Sequence, residues 1–262
     1  MKKNKEEEKV QDTMDEYRLN GMCIIKGILK ENEVKLLQKE SLRLWSEQEN
    51  LTPHNLRVGI RKDLDGKDVL ERLDPVHDIS KIFSDLNKDP KILKLAREAL
   101  GEPVIVLKEK LIYKWPGSSG YGAHRDEPYF TVSEDGPPGI NIVSIAVALD
   151  KADAENGAIK FYPDLRFTKL SSPEEEPKDI SMVDLEGKPF IMPELNPGDI
   201  VLFDGLIPHS SSFNKSNHSR RIYIITFAPQ RYTECRKDYY RFRYEELSKE
   251  RKKDYEGDIY IK

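Results

Sequence analysis

The spacing of apolar residues in the first hundred positions predicts mostly helix. Residues 21–25 form a short apolar run typical of a strand, and residues 34–45 then place apolar side chains on one helical face. The stretches 79–86 and 92–100 repeat that helical spacing. The front third is therefore predicted to be largely helical, and the polar segment 51–74 has no assigned element.

After Gly101 the apolar pattern changes from a helical period to that of strands. Six short stretches rich in Val, Ile, Phe and Tyr are predicted strands: residues 104–107, 111–113, 141–149, 158–162, 200–203 and 220–227. Turn residues separate them, including Asn156-Gly157 and Pro197-Gly198, and the second pair suits a type II turn. Many short strands with such turns predict a mainly β fold with flanking helices, a jelly-roll-like sandwich or barrel.

The same pattern predicts one domain between two charged ends. Residues 14–230 are assigned to a single β domain whose N-terminal third is helical, residues 1–13 to a charged N-terminal tail, and residues 231–262 to a charged C-terminal extension. The polar loop 165–193 is too long for an ordinary hairpin, so we expect it to be either functional or disordered. The sequence does not indicate an oligomeric state.

Composition limits the cellular compartments and the classes of binding partner that fit this chain. The chain has 262 residues, a net charge of −4 and only two cysteines, which lie far apart without the spacing of a disulfide framework or a thiolate metal site. Residues 1–11 lack the apolar core of a secretory signal, and no apolar stretch approaches the roughly 20 residues of a membrane span. We therefore expect a cytoplasmic protein without membrane contact. A pI near 5.9 also disfavours a nucleic-acid partner.

His124 and Asp126 form the first candidate for metal chemistry. On an extended backbone, residues two apart project to the same side, so an imidazole and a carboxylate at this spacing can bind one ion. In a chain of this length with five histidines, such a pair has roughly even odds of arising by chance. A surface turn is then the plain alternative.

His209 is the second candidate, because it follows a predicted strand and another strand begins shortly after it. A lone histidine in that place is more often a hydrogen-bonded core or rim residue than a metal ligand. Arg220 lies 220 − 209 = 11 residues later, at the start of the last strong strand. Its guanidinium could hold a distal carboxylate through two parallel hydrogen bonds, although an arginine at a strand start is usually a solvated charge.

Two histidines and one carboxylate on one side of a metal are the ligand set of non-haem iron(II) oxygenases. Zinc sites also use this set, so the ligands alone leave the metal open. Three hypotheses follow: a dioxygenase, a non-catalytic jelly-roll protein that binds a metal or ligand, and a zinc-dependent lyase or isomerase. Arg220 would be incidental in the third.

Taken together, the motifs resemble the phytanoyl-CoA dioxygenase family of iron(II)- and 2-oxoglutarate-dependent dioxygenases. The matching motifs, in order, are His124-Arg125-Asp126, Asn156-Gly157-Ala158, Pro197-Gly198-Asp199, His209-Ser210-Ser211, Asn214-x-Ser216 and Arg220. Residues 20–45 are also similar to that family's opening strand and helix. The resemblance spans about residues 17–227, and the composite motif is specific although each piece is common.

The resemblance implies a double-stranded β-helix core with Fe(II) bound by His124, Asp126 and His209. It also implies that Arg220 holds 2-oxoglutarate with help from the Ser211 hydroxyl. The implied reaction converts 2-oxoglutarate and oxygen to succinate and carbon dioxide while hydroxylating an unactivated carbon of a small-molecule metabolite, with ascorbate as a reductant. The substrate is not implied, and desaturation, epimerisation or ring formation would leave the same triad.

Three further expectations concern this chain in particular. Relatives that halogenate carry a small residue in place of the carboxylate, so the retained Asp126 argues against halogenation. Relatives often continue the Asn-Gly turn into Pro-Gly-Ser-His, whereas this chain has Pro163-Asp164-Leu165-Arg166, so the substrate-side edge is expected to be unusual. Loop 165–193 is expected to cover the substrate mouth, and Arg220 rather than Arg221 is expected to face the pocket.

Overall fold

Two antiparallel sheets form the centre of the computed structural model, which describes residues 5–48, 57–126, 141–172 and 179–250. The strands are β1 (Met22–Ile25), β2 (Val58–Lys62), β3 (Asp68–Leu73), β4 (Val104–Lys114), β5 (Tyr121–His124), β6 (Val143–Ala148), β7 (Ile159–Phe161), β8 (Ile200–Asp204), β9 (His209–Ser211) and β10 (Arg220–Pro229). The larger sheet has the order β1-β8-β6-β10-β4-β3-β2, and the smaller sheet has the order β5-β9-β7. The predicted mainly β fold is confirmed.

Helices flank the larger sheet. They are α1 (Lys5–Asn20), α2 (Glu31–Gln48), α3 (Lys81–Leu86), α4 (Pro90–Leu100), α5 (Met182–Leu185) and α6 (Thr233–Glu250). Helix α4 begins where the Asp89 carboxylate accepts from the Lys91 N–H at 2.7 Å and ends at Gly101, whose φ of 74° suits glycine. In the described part of the chain, no helix is both long and apolar enough to span a bilayer. The cytoplasmic location stays a prediction.

The larger sheet buries both of its faces. One face packs against α2 to α4 in a core that includes Leu37, Phe83 and Tyr223. The other face packs against the smaller sheet, with Phe161 and Ile222 in the shared core. Since β10 is buried at every position, its apolar pattern cannot show which face points to the smaller sheet.

The structure corrects two parts of the predicted strand pattern. Segment 51–74, which received no element, contains the β2–β3 hairpin, so the front third is less helical than predicted. The two strands predicted at 104–107 and 111–113 are one strand, β4. Lys108 and Lys110 interrupt its apolar run. Both lie on the inner face of the fold, where Lys108 pairs with Asp126 and Lys110 lines a cavity.

The segment predicted as a charged C-terminal extension contains α6, which packs on the sheet. Its buried Tyr239, Tyr240 and Tyr244 cover Leu107 and Ala228. The amphipathic pattern of α6 is hard to recognise in the sequence, because its buried side chains are tyrosines among charged residues rather than aliphatic residues. The division into 1–13, 14–230 and 231–262 stays a prediction, and residues 1–4 and 251–262 lie outside the described residues.

Candidate metal centre and co-substrate pocket

His124 and His209 lie opposite each other across the β5–β9 pair. Their Cα atoms are register partners, and their ring centroids are 4.3 Å apart. Asp126 follows directly, where its N–H donates to the Gly205 carbonyl at 3.0 Å. One donor atom from each of the three residues lies within 4.8 Å of the other two. The structure thus brings the predicted triad into one cluster.

Both imidazoles use Nδ1 for a contact with a backbone carbonyl. Nδ1 of His124 lies 2.9 Å from the Gly122 carbonyl, and Nδ1 of His209 lies 3.0 Å from the Ile207 carbonyl. A carbonyl can only accept, so Nδ1 carries the proton and Nε2 keeps its lone pair. Burial lowers the pKa of His124 to about 3 and also lowers that of His209. Both rings are therefore neutral at physiological pH, as a metal ligand must be.

Asp126 is held from both sides. Its Oδ1 accepts from the Lys108 ammonium at 2.8 Å, and its Oδ2 accepts from the Ser144 hydroxyl at 3.0 Å. Burial alone would raise the pKa of this carboxyl group, but Lys108 and Lys110 outweigh it and keep the pKa well below its usual value. Each carboxylate oxygen has a second lone pair, so the ionised group can still bind a cation.

A cavity opens beside the cluster. Its walls are formed by Lys110, Ile112, Tyr121, His124, Ile159, His209, Ser210, Ser211, Arg220 and Ile224. Two buried polar atoms in this wall lack a partner, Nε of Arg220 and the Tyr121 hydroxyl. Buried donors without partners are costly, so the wall is suited to an acceptor-rich ligand such as a carboxylate.

The adjacent arginines face opposite sides of β10. Arg220 is 2% exposed and lines the cavity. Burial lowers its pKa to about 10, so it stays charged at neutral pH. Arg221 points into the helical side, where its Nε and Nη2 donate to both oxygens of Asp150 at 2.8 and 2.7 Å. The expected orientation of the pair agrees with this geometry.

Ser211 lies in the same cavity wall as Arg220, and the Ser211 hydroxyl oxygen already accepts two hydrogen bonds. Its Oγ accepts from the Lys114 ammonium at 2.9 Å and from the Tyr121 N–H at 3.3 Å. The hydroxyl proton is thus left to donate into the cavity. Burial, followed by repulsion from Arg220, lowers the pKa of Lys114 to about 6. The charged form of Lys114 is therefore disfavoured here, whereas Arg220 stays charged at neutral pH.

The sequence reasoning missed the inward-facing lysines of β4 and the Tyr121 hydroxyl. Lys108, Lys110 and Lys114 occupy three of four alternate positions, with Ile112 as the fourth, and this period of one strand face was visible in the sequence. Tyr121 gave no such signal, because a tyrosine before a His-x-Asp pair is as easily a core residue.

The segment after β7 is attached to the metal strand. Arg125, between two triad residues, donates to the carbonyls of Leu206 at 2.7 Å and Leu165 at 2.6 Å. The Ile180 N–H donates to the Ala123 carbonyl at 2.6 Å. Within loop 165–193, residues 173–178, which include most of its acidic run, lie outside the described residues. The remainder packs against β5 and lies next to the cluster.

Arg166 ends the Pro163-Asp164-Leu165-Arg166 stretch that follows β7. Its guanidinium pairs with Asp204 at the end of β8, and its side chain lies against Gly21. This arginine therefore ties the segment after β7 to the residues at the start of β1.

The comparison with protein families agrees with this geometry. The model of the phytanoyl-CoA dioxygenase (PhyH) family matches residues 17–222. The chain belongs to this family. A 2-aminoethylphosphonate dioxygenase from the uncultured bacterium HF130_AEPn_1 is 28% identical over 242 residues, covering 92% of this chain and 89% of the relative. A methylphosphonate hydroxylase from Gimesia maris is 31% identical over 154 residues, covering 57% of this chain and 55% of the relative.

Solved structures of 2-oxoglutarate-dependent enzymes share the fold. EctD from S. alaskensis, solved with 2-oxoglutarate and 5-hydroxyectoine, has a TM-score of 0.70 at 21% identity, covering 83% of this chain and 75% of EctD. The α-ketoglutarate-dependent epimerase SnoN from nogalamycin biosynthesis has a TM-score of 0.69 at 20% identity, covering 85% and 84%. The expected jelly-roll core of this PhyH-family member is thus confirmed.

Proposed function

We propose that this PhyH-family dioxygenase hydroxylates an unactivated carbon of a small molecule, using iron(II), 2-oxoglutarate and oxygen. One observation carries the proposal: a single cavity is lined by His124, His209 and the buried guanidinium of Arg220, and Asp126 lies in one cluster with the two histidines. Two neutral imidazoles and a carboxylate fit iron(II), and a partnerless arginine nitrogen fits a carboxylate. The small-molecule dioxygenases among the relatives support the same reaction class.

The residues divide into two groups by role. His124, Asp126 and His209 would hold iron(II), which when bound would supply the oxidation chemistry of the reaction. Arg220 and Ser211 bind the distal carboxylate of 2-oxoglutarate. The Tyr121 hydroxyl, buried and without a partner, adds a third donor to that end.

The proposed reaction balances in atoms and electrons. One oxygen atom of O₂ enters succinate as 2-oxoglutarate loses carbon dioxide, and the other enters the C–H bond to give an alcohol. The oxidative decarboxylation supplies two electrons and the C–H bond supplies two, which together reduce O₂. Ascorbate acts outside this balance, as the reductant that restores iron(II).

The surrounding side chains keep the site oriented and dry. Lys108 and Ser144 hold both oxygens of Asp126, so the carboxylate cannot rotate away. Ile112, Ile159 and Ile224 form the apolar part of the wall of the cavity that also contains His124, His209 and Arg220. Excluding water there strengthens the contact between the guanidinium and a carboxylate.

A zinc-dependent lyase or isomerase is less well supported. Such an enzyme has no use for a buried arginine facing the metal cavity, and an uncompensated guanidinium is costly to bury. The unpartnered Nε of Arg220 therefore favours the dioxygenase.

The test is anaerobic loading with iron(II) and 2-oxoglutarate, then an oxygen pulse with metabolite pools, scoring succinate together with a substrate mass gain of one oxygen. His124→Ala, Asp126→Ala and His209→Ala should each abolish turnover, because losing one protein ligand weakens metal binding and misplaces the open positions. His218→Ala, an exposed histidine, is the matched control and should be close to neutral. Full iron occupancy and turnover in a triad variant would remove that residue from the metal centre.

A further inference from the structure

The inner face of β4 carries a row of positive side chains. Lys108, Lys110, Ile112 and Lys114 alternate along this face. Arg72 of β3 lies on the same face, because its Cα is the register partner of Ile112. Four basic side chains therefore line one wall of the fold beside the metal centre.

Two of these cations already have partners. Lys108 forms an ion pair with Asp126 at 2.8 Å. Lys114 donates to the Ser211 hydroxyl at 2.9 Å and to the Ser212 carbonyl at 2.5 Å. Lys108 therefore holds a residue of the metal centre, and Lys114 holds a residue of the co-substrate pocket.

The other two cations have no such partner. In the part of the chain that the structure describes, the side chains of Lys110 and Arg72 make no hydrogen bond or ion pair. Both are half-buried, so a solute can reach them. Burial, followed by repulsion from Lys108, lowers the pKa of Lys110 to about 8, and Arg72 contributes to that repulsion. Arg72 is one of the charges that act on Lys110, so the two groups lie near each other.

Lys110 lines the catalytic cavity together with His124, His209 and Arg220. Arg72 lies on the same inner face, because its Cα is the register partner of the cavity-lining Ile112. The Arg72 stem lies across Gly59 of β2, where an added Cβ would come within 2.5 Å of Arg72 Cγ. The β2–β3 hairpin therefore contributes a cation next to the cavity wall, and the absent side chain at Gly59 makes room for its stem.

The bound co-substrate would not neutralise this pair. 2-Oxoglutarate has two carboxylates; in the proposed arrangement one chelates the metal and the other binds Arg220. Within the described residues, neither Lys110 nor Arg72 then has a direct hydrogen-bond or ion-pair partner. A half-buried cation with unused donors favours the binding of an anion.

We propose that Lys110 and Arg72 bind the oxyanion head group of the primary substrate, a small molecule that carries a phosphonate, sulfonate or carboxylate. The inference rests on the proposed function and names the substrate class of the same site. The lysine gives a point charge and the arginine a planar fork, which together can contact two or three oxygens of one head group. A head group held there places its neighbouring carbon beside the metal centre.

The test measures binding by calorimetry to the anaerobic iron(II)–2-oxoglutarate protein. The probes are methylphosphonate, methanesulfonate and acetate, with dimethyl methylphosphonate as a neutral counterpart. Wild type should bind at least one anion about tenfold or more above the neutral ester. Lys110→Met and Arg72→Met should each lose about tenfold or more of that affinity, and Lys110→Arg should keep most of it. The three head groups distinguish the anion classes.

Lys160→Met is the matched control. Lys160 lies on β7 with its ammonium 4.8 Å from the Phe190 ring centroid, and it is not part of the cavity wall. Its replacement removes the same charge from the fold and should leave anion affinity unchanged. Circular dichroism checks that all variants are folded.

Separate readings distinguish the two proposals. Lys110→Met should change the dissociation constant of 2-oxoglutarate by less than about threefold, because Arg220 holds that ligand. Anions that bind no better than the neutral ester, or that bind both methionine variants as they bind wild type, would overturn the inference. A large loss of 2-oxoglutarate affinity in Lys110→Met would also overturn it, since Lys110 would then bind the co-substrate. If the wild-type protein bound no 2-oxoglutarate, both the proposed function and this inference would be wrong.

Discussion

At the scale of single residues, the site separates groups that bind ligands from groups that hold the fold. Arg220 and Arg221 are neighbours in sequence and the same residue type, yet one lines the cavity and the other closes an ion pair with Asp150. Their surroundings rather than their chemistry assign their roles. Alanine variants at the two positions should therefore lose different properties, ligand affinity at Arg220 and stability at Arg221.

Arg220→Ala should weaken 2-oxoglutarate binding by roughly two or more powers of ten, because a buried carboxylate loses its charge partner. Arg221→Ala should leave 2-oxoglutarate affinity nearly unchanged and lower the free energy of unfolding by about 3 kcal/mol, since it strands Asp150 in a largely buried pair. Anaerobic titration with iron(II) and urea unfolding give the two readings. Lysine at position 220 should rescue only partly, because an ammonium lacks the planar fork. A large affinity loss at Arg221 with none at Arg220 would reverse the assignment.

At the scale of elements, β4 joins the two sheets through its inward lysines. Lys114 donates to Ser211 on β9 and to the Ser212 carbonyl just after it. Strand β4 thus holds both the metal carboxylate, through Lys108, and the strand that carries His209. A charge on this element affects both stability and the site.

Lys114 should make stability depend on pH. Burial depresses its pKa from 10.5 to about 6, so between these values the unfolded chain binds more protons than the native protein. Its contribution to the free energy of unfolding therefore rises from pH 6 towards 10.5 and falls as the pH drops through that window. Urea unfolding of wild type and Lys114→Met at pH 6.5 and pH 9 checks this. The variant should show a smaller rise, and an equal rise in both proteins would contradict the depressed pKa.

The segment after β7 should depend on Arg125 for its position. This side chain binds the carbonyls of Leu165 and Thr168, at 2.6 and 2.7 Å. Arg125→Met should speed limited chymotrypsin cleavage after the exposed Phe167 by several-fold, because the local opening free energy falls. Lys237→Met, a surface change on α6, is the control. Binding of 2-oxoglutarate together with an accepted substrate should slow cleavage, and ligand-insensitive cleavage would make the segment a surface insertion only.

At the scale of the whole molecule, α6 closes the sheet on the side of Leu107 and Ala228. Tyr240 is 1% exposed and its hydroxyl donates to Asp74 at 3.2 Å, whereas Phe242 two residues on is 43% exposed. Tyr240→Ala should lower the free energy of unfolding by about 3–5 kcal/mol through the cavity it leaves. Phe242→Ala should cost less than about 1 kcal/mol. Urea midpoints give the comparison, and equal losses would show that α6 does not pack as described.

Much of this protein could be read from residue order alone. The spacing of His124, Asp126 and His209 between turn and strand signals was enough to nominate one cluster, because residues two apart on a strand share a face and turns set where strands end. The mainly β body followed from the same periodicity. The β2–β3 hairpin and the continuity of β4 were missed, since charged residues on an inner face hide the apolar pattern of a strand.

Other properties depended on tertiary contacts. Alternation places Arg220 and Arg221 on opposite faces, but β10 is apolar on both sides, so only the packing of the helices and Asp150 shows which face is inward. The pairing of the β4 lysines is likewise invisible in sequence. Asp126 pairs with Lys108 across the fold, whereas Lys110 lines the cavity. Periodicity specifies which residues share a face, and only contacts between distant segments determine what that face meets.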